Sequence, residues 1–158
     1  MKVEDNILGR KITKVIYSEV NHHNGKFYFN GFDTFDHSIN IQMENEYWWN
    51  LSWKDDEYFE FGESFFERNK HIEQSQIKSW ESTERWKKVL NSKVSELNFE
   101  YVDDAELIIN KIILKFENGE IINILIAPEL NENGIISHPI EYDFGGEIYV
   151  FHKENLLN

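Results

Sequence analysis

One pattern occurs twice in this chain, and the repetition constrains its fold more than any other feature. Ser38 to Trp53 reads SINIQMENEYWWNLSW. Ile39, Ile41 and Met43 alternate with polar residues, a polar turn follows at Glu44-Asn45-Glu46, and Trp49, Leu51 and Trp53 alternate with Trp48, Asn50 and Ser52. Alternation on both sides of a turn predicts a β-hairpin with one buried face. Lys111 to Ile126, KIILKFENGEIINILI, repeats the pattern at a shift of 73 positions, and its Asn118-Gly119 is a stronger turn signal. The shift places Ile112, Leu114 and Phe116 on Ile39, Ile41 and Met43, and Ile122, Ile124 and Ile126 on Trp49, Leu51 and Trp53.

The resemblance between the halves extends outward. Leu8 to Val20, LGRKITKVIYSEV, matches Leu90 to Val102, LNSKVSELNFEYV, at a shift of 82. Both are rich in strand-favouring residues. Their apolar phase slips between Ile12 and Val15 and again between Val94 and Leu97, which predicts a bulge or irregularity in each. A fourth strand is expected at Glu57 to Phe61 and again at Glu147 to Phe151. The unequal shifts locate two longer links: His22 to His37, with a possible short strand at Lys26 to Phe29, and Pro128 to Gly146. Between the copies, Glu63 to Val89 does not alternate. Trp80, Thr83, Trp86, Val89 and Leu90 fall at helical spacing after Ser79 and Ser82, either of which would serve as an N-cap.

The expected fold is therefore α+β, mainly β. Two tandem four-stranded antiparallel units, at about 8–61 and 90–152, pack as one pseudo-symmetric domain joined by a helical linker at about 63–89. A single domain follows from the length of 158 residues, because a unit of half that size buries too little surface alone. Sandwich, barrel and continuous sheet all remain open.

Composition narrows the function classes. The chain has no cysteine, which excludes disulfides, thiolate metal sites and a cysteine nucleophile. The first ten residues, MKVEDNILGR, lack the apolar run of a secretion signal, and no stretch approaches the ~20 apolar residues of a membrane span. A cytoplasmic protein without membrane attachment is expected. A net charge of −13 repels phosphate backbones and attracts basic partners, so direct nucleic-acid binding is disfavoured.

Motifs for catalysis are weak. His22 and His23 are adjacent and would point to opposite faces of a strand, and His37, His71, His138 and His152 are scattered, so no metal or other cofactor is expected. There is no GxSxG, GxGxxG or Walker loop, and Gly145-Gly146 reads as a turn. The carboxylates of Asp55-Asp56-Glu57, Asp103-Asp104, Glu141 and Asp143 sit where solvated charge is ordinary, and no enzyme is expected. The aromatics say more. Strand phase turns Trp49 and Trp53 inward and Trp48 outward, where either a second layer covers it or a partner does. Tyr58 and Glu60 also face outward, beside Asp55, Asp56 and Glu57. Trp48, Asp55, Asp56, Glu57, Tyr58 and Glu60 form the candidate contact patch, since an aromatic ringed by carboxylates suits a basic protein surface. The loops around Asp33 and Asp36 and around Glu129, Glu132 and Glu141 are a second choice.

LGRKITKV, LNSKVSEL, FENGEIINI and FGGEIYVF, in a small acidic chain without cysteine, resemble the immunity proteins that bacteria pair with polymorphic or contact-dependent toxins. The resemblance implies a cytoplasmic, non-enzymatic protein that neutralises a cognate basic toxin domain, often a nuclease, by stoichiometric binding. The alternative is a small-ligand-binding β domain whose pocket is lined by Trp49, Trp53 or Phe116.

Overall fold

The computed structural model describes residues 3–20, 27–54, 59–101, 108–127 and 147–152. A short helix α1 (Glu4–Ile7) precedes β1 (Ile12–Glu19), β2 (Phe32–Phe35), β3 (Ser38–Met43), β4 (Trp48–Trp53) and β5 (Phe59–Glu63). Then come β6 (Lys78–Glu81), β7 (Val94–Tyr101), β8 (Ile109–Phe116), β9 (Ile121–Ala127) and β10 (Glu147–Phe151). Two five-stranded antiparallel sheets result, with strand orders β5-β4-β3-β1-β6 and β2-β10-β9-β8-β7. The protein is mainly β.

Period-two burial explains the strands. On β8, Ile112, Leu114 and Phe116 are buried while Lys111 and Lys115 are not; on β3 and β4, Ile39, Ile41, Trp49 and Leu51 are fully enclosed. These side chains, with Ile122, Ile124, Ile148 and Val150 from the second sheet, make one continuous core. Trp49 packs on Phe61 at 5.8 Å between ring centres, and Phe61 meets Phe99 of the other sheet edge-on at 5.3 Å.

Bonds of one half recur in the other at the offsets seen in the sequence. The register slips between Ile12 and Lys14 and between Val94 and Glu96, as the broken apolar phase predicts. Thr13 Oγ1 donates to the Gln42 carbonyl at 3.2 Å, and Ser95 Oγ donates to that of Lys115 at the same distance. The Glu44 N–H donates to the Lys11 carbonyl and the Glu117 N–H to that of Lys93, both at 2.9 Å.

Three expectations need correction. Each sheet has five strands rather than four, because β6 adds to the free edge of β1 and β2 to that of β10. The linker is not an α-helix: it holds a strap from Ser64 to Asn69, a 3-10 turn at Gln74–Gln76, β6, and a second 3-10 turn at Thr83–Trp86. The unpaired backbone of β1 gains a partner from β6, and Trp80 comes opposite Tyr17, a placement that helical spacing alone does not distinguish. Ser82 occupies the N-cap position of the second 3-10 turn without a side-chain capping bond; its Oγ pairs with Tyr28 Oη at 2.7 Å. Finally, the link read as a loop around Asp33 contains β2, to which Tyr28 adds a single bridge at Asp33; Lys26 lies outside the described residues.

Candidate functional site

The polar side chains most suggestive of chemistry are enclosed and used within the fold. Asp33 is 0 % exposed, which corrects the expectation of a contact loop there. Its Oδ2 accepts from Tyr17 Oη at 2.5 Å and pairs with His152 Nε2 at 2.7 Å; its Oδ1 accepts from Arg85 Nε at 2.8 Å and Nη2 at 2.5 Å. Trp86 Nε1 donates to Tyr17 Oη at 2.9 Å. Four donors on one carboxylate offset the cost of burying its charge. The same carboxylate, with burial as the larger cause, holds the Tyr17 hydroxyl well above its ordinary pKa. The network ties β1, β2, the Thr83–Trp86 turn and the end of β10.

Asp36 is likewise buried, and its N–H donates to Glu19 Oε2 at 3.0 Å. Burial first, then the hydrogen bond to and charge of Asp36, push the Glu19 carboxyl up to about 9. His37 Nε2 accepts from the Asn69 N–H at 3.2 Å, so Nδ1 carries the proton and donates to Ser18 Oγ at 2.7 Å. Burial brings this imidazole down to about 4. Ser18 and His37 are shut from solvent; the pair anchors the strap rather than presenting a nucleophile. Among the described residues no group of three or more His, Asp or Glu side chains could hold a metal ion.

That strap lies over the polar face of the first sheet. Asn40 exchanges two bonds with the Phe66 backbone, at 3.0 and 2.8 Å, and Asn50 Nδ2 donates to the Ser64 carbonyl at 2.8 Å. At Gly62, opposite Asn50, a Cβ would come within 2.5 Å of Lys54 Nζ and 2.9 Å of Asn50 Nδ2, so the two side chains would have to shift to admit one. Thus Trp48 is partly covered, by an irregular strap rather than a helix, and meets Phe65 edge-on at 5.0 Å. Phe65 itself remains 41 % exposed.

Asp55, Asp56, Glu57 and Tyr58 of the candidate patch, and Glu129, Glu132 and Glu141 of the second choice, lie outside the described residues. Glu60 is exposed on β5 opposite Ser52, on the face that carries Trp48. Four positions of β4 separate Ser52 from Trp48, about 13 Å along the strand. Trp48 therefore belongs to the other end of the face, next to the turn whose Glu44, Asn45 and Glu46 are exposed, while Glu63, opposite Trp49, is exposed on the other face. Tyr47 Oη donates to Glu63 Oε1 at 2.7 Å, and burial followed by the Glu63 contact raises the Tyr47 pKa.

The two hairpin turns share a backbone and differ in what surrounds it. Met43 N donates to the Tyr47 carbonyl at 2.9 Å and Phe116 N to that of Glu120 at 3.0 Å; the left-handed position is Glu46 (φ 68°) in one and Gly119 (φ 89°) in the other. The second tip is held from within. Asn118 Nδ2 donates to the Lys88 carbonyl at 2.9 Å, Asn118 N donates to Ser92 Oγ at 2.9 Å, and Glu120 pairs with Lys88 at 3.2 Å. At the first tip, among the described residues, the Asn45 side chain makes no hydrogen bond and Glu44, Glu46 and Glu63 form no ion pair within 4 Å. Sequence reading counted Glu63 among the carboxylates near Tyr58 and missed Phe65, for want of any sign that the strap returns to Trp48. A signal for the tip was present: Glu46 stands where its counterpart is glycine.

The chain matches no family model, no curated protein and no solved structure.

Proposed function

We propose that this chain is a non-enzymatic acidic binding protein that neutralises a basic protein partner by stoichiometric capture, in the manner of an immunity protein facing a nuclease-type toxin. We infer with it that the two sheets derive from a tandem four-stranded unit packed as one pseudo-symmetric domain, a reading supported by the bonds that recur between the halves. The observation that carries the functional proposal is the uneven pairing of surface charge. Glu44 to Glu67 holds eight acidic residues and one lysine. Its described, exposed carboxylates at 44, 46, 60, 63 and 67 form no ion pair, whereas Glu96, Glu100 and Glu120 of the second half are each matched by a lysine. Unpaired carboxylates on one side favour steering of a cationic partner, and Trp48 and Phe65 offer the apolar contact that affinity requires.

No helix of the described residues is long and apolar enough to cross a membrane. A cytoplasmic location belongs to the proposal. The ligand-pocket alternative is less favoured because Trp49 and Phe116 are occupied in the core, where Trp49 Nε1 meets Met43 Sδ at 3.4 Å. Affinity capture with the tagged chain at low and high salt tests the proposal. Expected is a basic protein retained at low salt, released at high salt, found one-to-one by native mass spectrometry and inactive in the complex. A co-purifying metabolite with no retained protein would overturn it.

A further inference from the structure

We infer that the exposed aromatic face at the tip of the β3–β4 hairpin is the docking surface, and that its occupant is an extended arginine-rich segment of a basic protein. This rests on the functional reading above and names its site. The apolar element is Trp48 with Phe65, the latter 41 % exposed, on the outer face of the first sheet. Beside it the turn carries Glu44 and Glu46, both exposed. Arg10 and Lys11 lead into β1 beneath the turn and reach none of these carboxylates within 4 Å; Lys14, opposite Gln42, is engaged by Glu81 at 3.9 Å.

The other hairpin shows what an occupied tip looks like. There a neighbouring segment supplies a carbonyl to Asn118, a hydroxyl to the Asn118 N–H and an ammonium to Glu120. The matching positions before the first tip are Asn6 and Arg10 in place of Lys88 and Ser92, so neither the ammonium nor the hydroxyl acceptor is present. A guanidinium suits the vacancy best, because it stacks on an indole face and makes paired bonds to carboxylate at once.

The test uses the full chain with 5-fluorotryptophan at its five tryptophans, followed by fluorine NMR. The probe is a soluble peptide of alternating arginine and leucine, with a glutamate–leucine peptide as control. The Trp48 resonance is expected to move first and saturably. Glu44→Gln with Glu46→Gln should weaken binding about tenfold or more, while Glu117→Gln with Glu120→Gln leaves it unchanged. Unshifted Trp49 and Trp86 resonances in each variant report an intact core. Equal weakening by both variant sets, a first response at another tryptophan, or no saturation would overturn the inference. A Trp48 shift on concentrating the protein alone would overturn it in favour of a second copy. Should the Glu44→Gln, Glu46→Gln variant still capture a basic protein at wild-type affinity, this site is wrong and the functional reading stands; should the unsubstituted chain capture none, the functional reading itself fails.

Discussion

The β3–β4 and β8–β9 hairpins close with the same backbone bonds, yet one is finished by the chain and the other is not. At the second, glycine takes the left-handed position, an asparagine reaches a neighbouring carbonyl, and a lysine neutralises the nearby glutamate. At the first, a glutamate takes the strained position, the asparagine side chain bonds to none of the described residues, and two exposed glutamates of the turn precede Trp48. A non-glycine residue at such a φ costs on the order of 1 kcal/mol. Two tips of one design, unequally completed, separate the parts of the molecule that serve stability from the part left available.

The largest expected effect removes what joins the halves. Asp33→Ala strands Arg85 in a half-buried site and deprives Tyr17 and His152 of their acceptor, and should cost about 3–5 kcal/mol in urea unfolding. A transition that splits in two would show that the halves unfold separately, which would break the comparison by making them independent bodies.

Next comes a pH dependence seated in the first half. In the folded chain Glu19 keeps its proton to about 9 rather than 4.5. Its stabilising contribution is complete below about 4.5 and is lost as pH rises towards 9. His37 ionises near 4 instead of 6.5, so its contribution is complete above about 6.5 and is lost as pH falls towards 4. Glu19→Gln should flatten the alkaline decline, a gain of about 2–3 kcal/mol at pH 9, read from urea midpoints across pH. His37→Phe should flatten the acid limb.

Smaller effects sharpen the contrast of the tips. Asn118→Ala removes two side-chain bonds and should cost about 1–2 kcal/mol, whereas Asn45→Ala should change stability by less than about 0.5 kcal/mol. Equal losses in thermal unfolding would show the first tip to be anchored after all. Smallest, Glu46→Gly should stabilise the chain by up to about 1 kcal/mol while weakening capture of the arginine-rich probe.

What was legible in the sequence was local. Alternation and turn chemistry located both hairpins, and the phase slips after Ile12 and Val94 located both bulges, because each depends on residues a few positions apart. What was illegible depended on distant partners. Asp33 looks like a loop carboxylate until Arg85 and His152 arrive from far along the chain. Trp80 and Trp86 sit at a spacing that suits a helix, but the edge of β1 draws Lys78–Glu81 into a sheet. Of the candidate contact residues, Trp48 lies on the face that alternation gave it, about 13 Å along the strand from the Ser52–Glu60 pair. The strap that brings Phe65 to its side has no periodicity to read.

The path of β2 sets a timetable for synthesis. β1 and β3 flank it in the chain and belong to the first sheet, while β2 itself pairs with β10, Phe35 lying opposite Ile148. On a ribosome making residues in order, the first sheet's strands through β5 emerge while the strand made second has only the short bridge from Tyr28 beside it. Contacts that close so late in the sequence slow folding and leave an unsealed edge open to wrong partners in the meantime. Phe32 to Phe35 therefore waits for its strand partner until Glu147 to Phe151 comes free to pair with it.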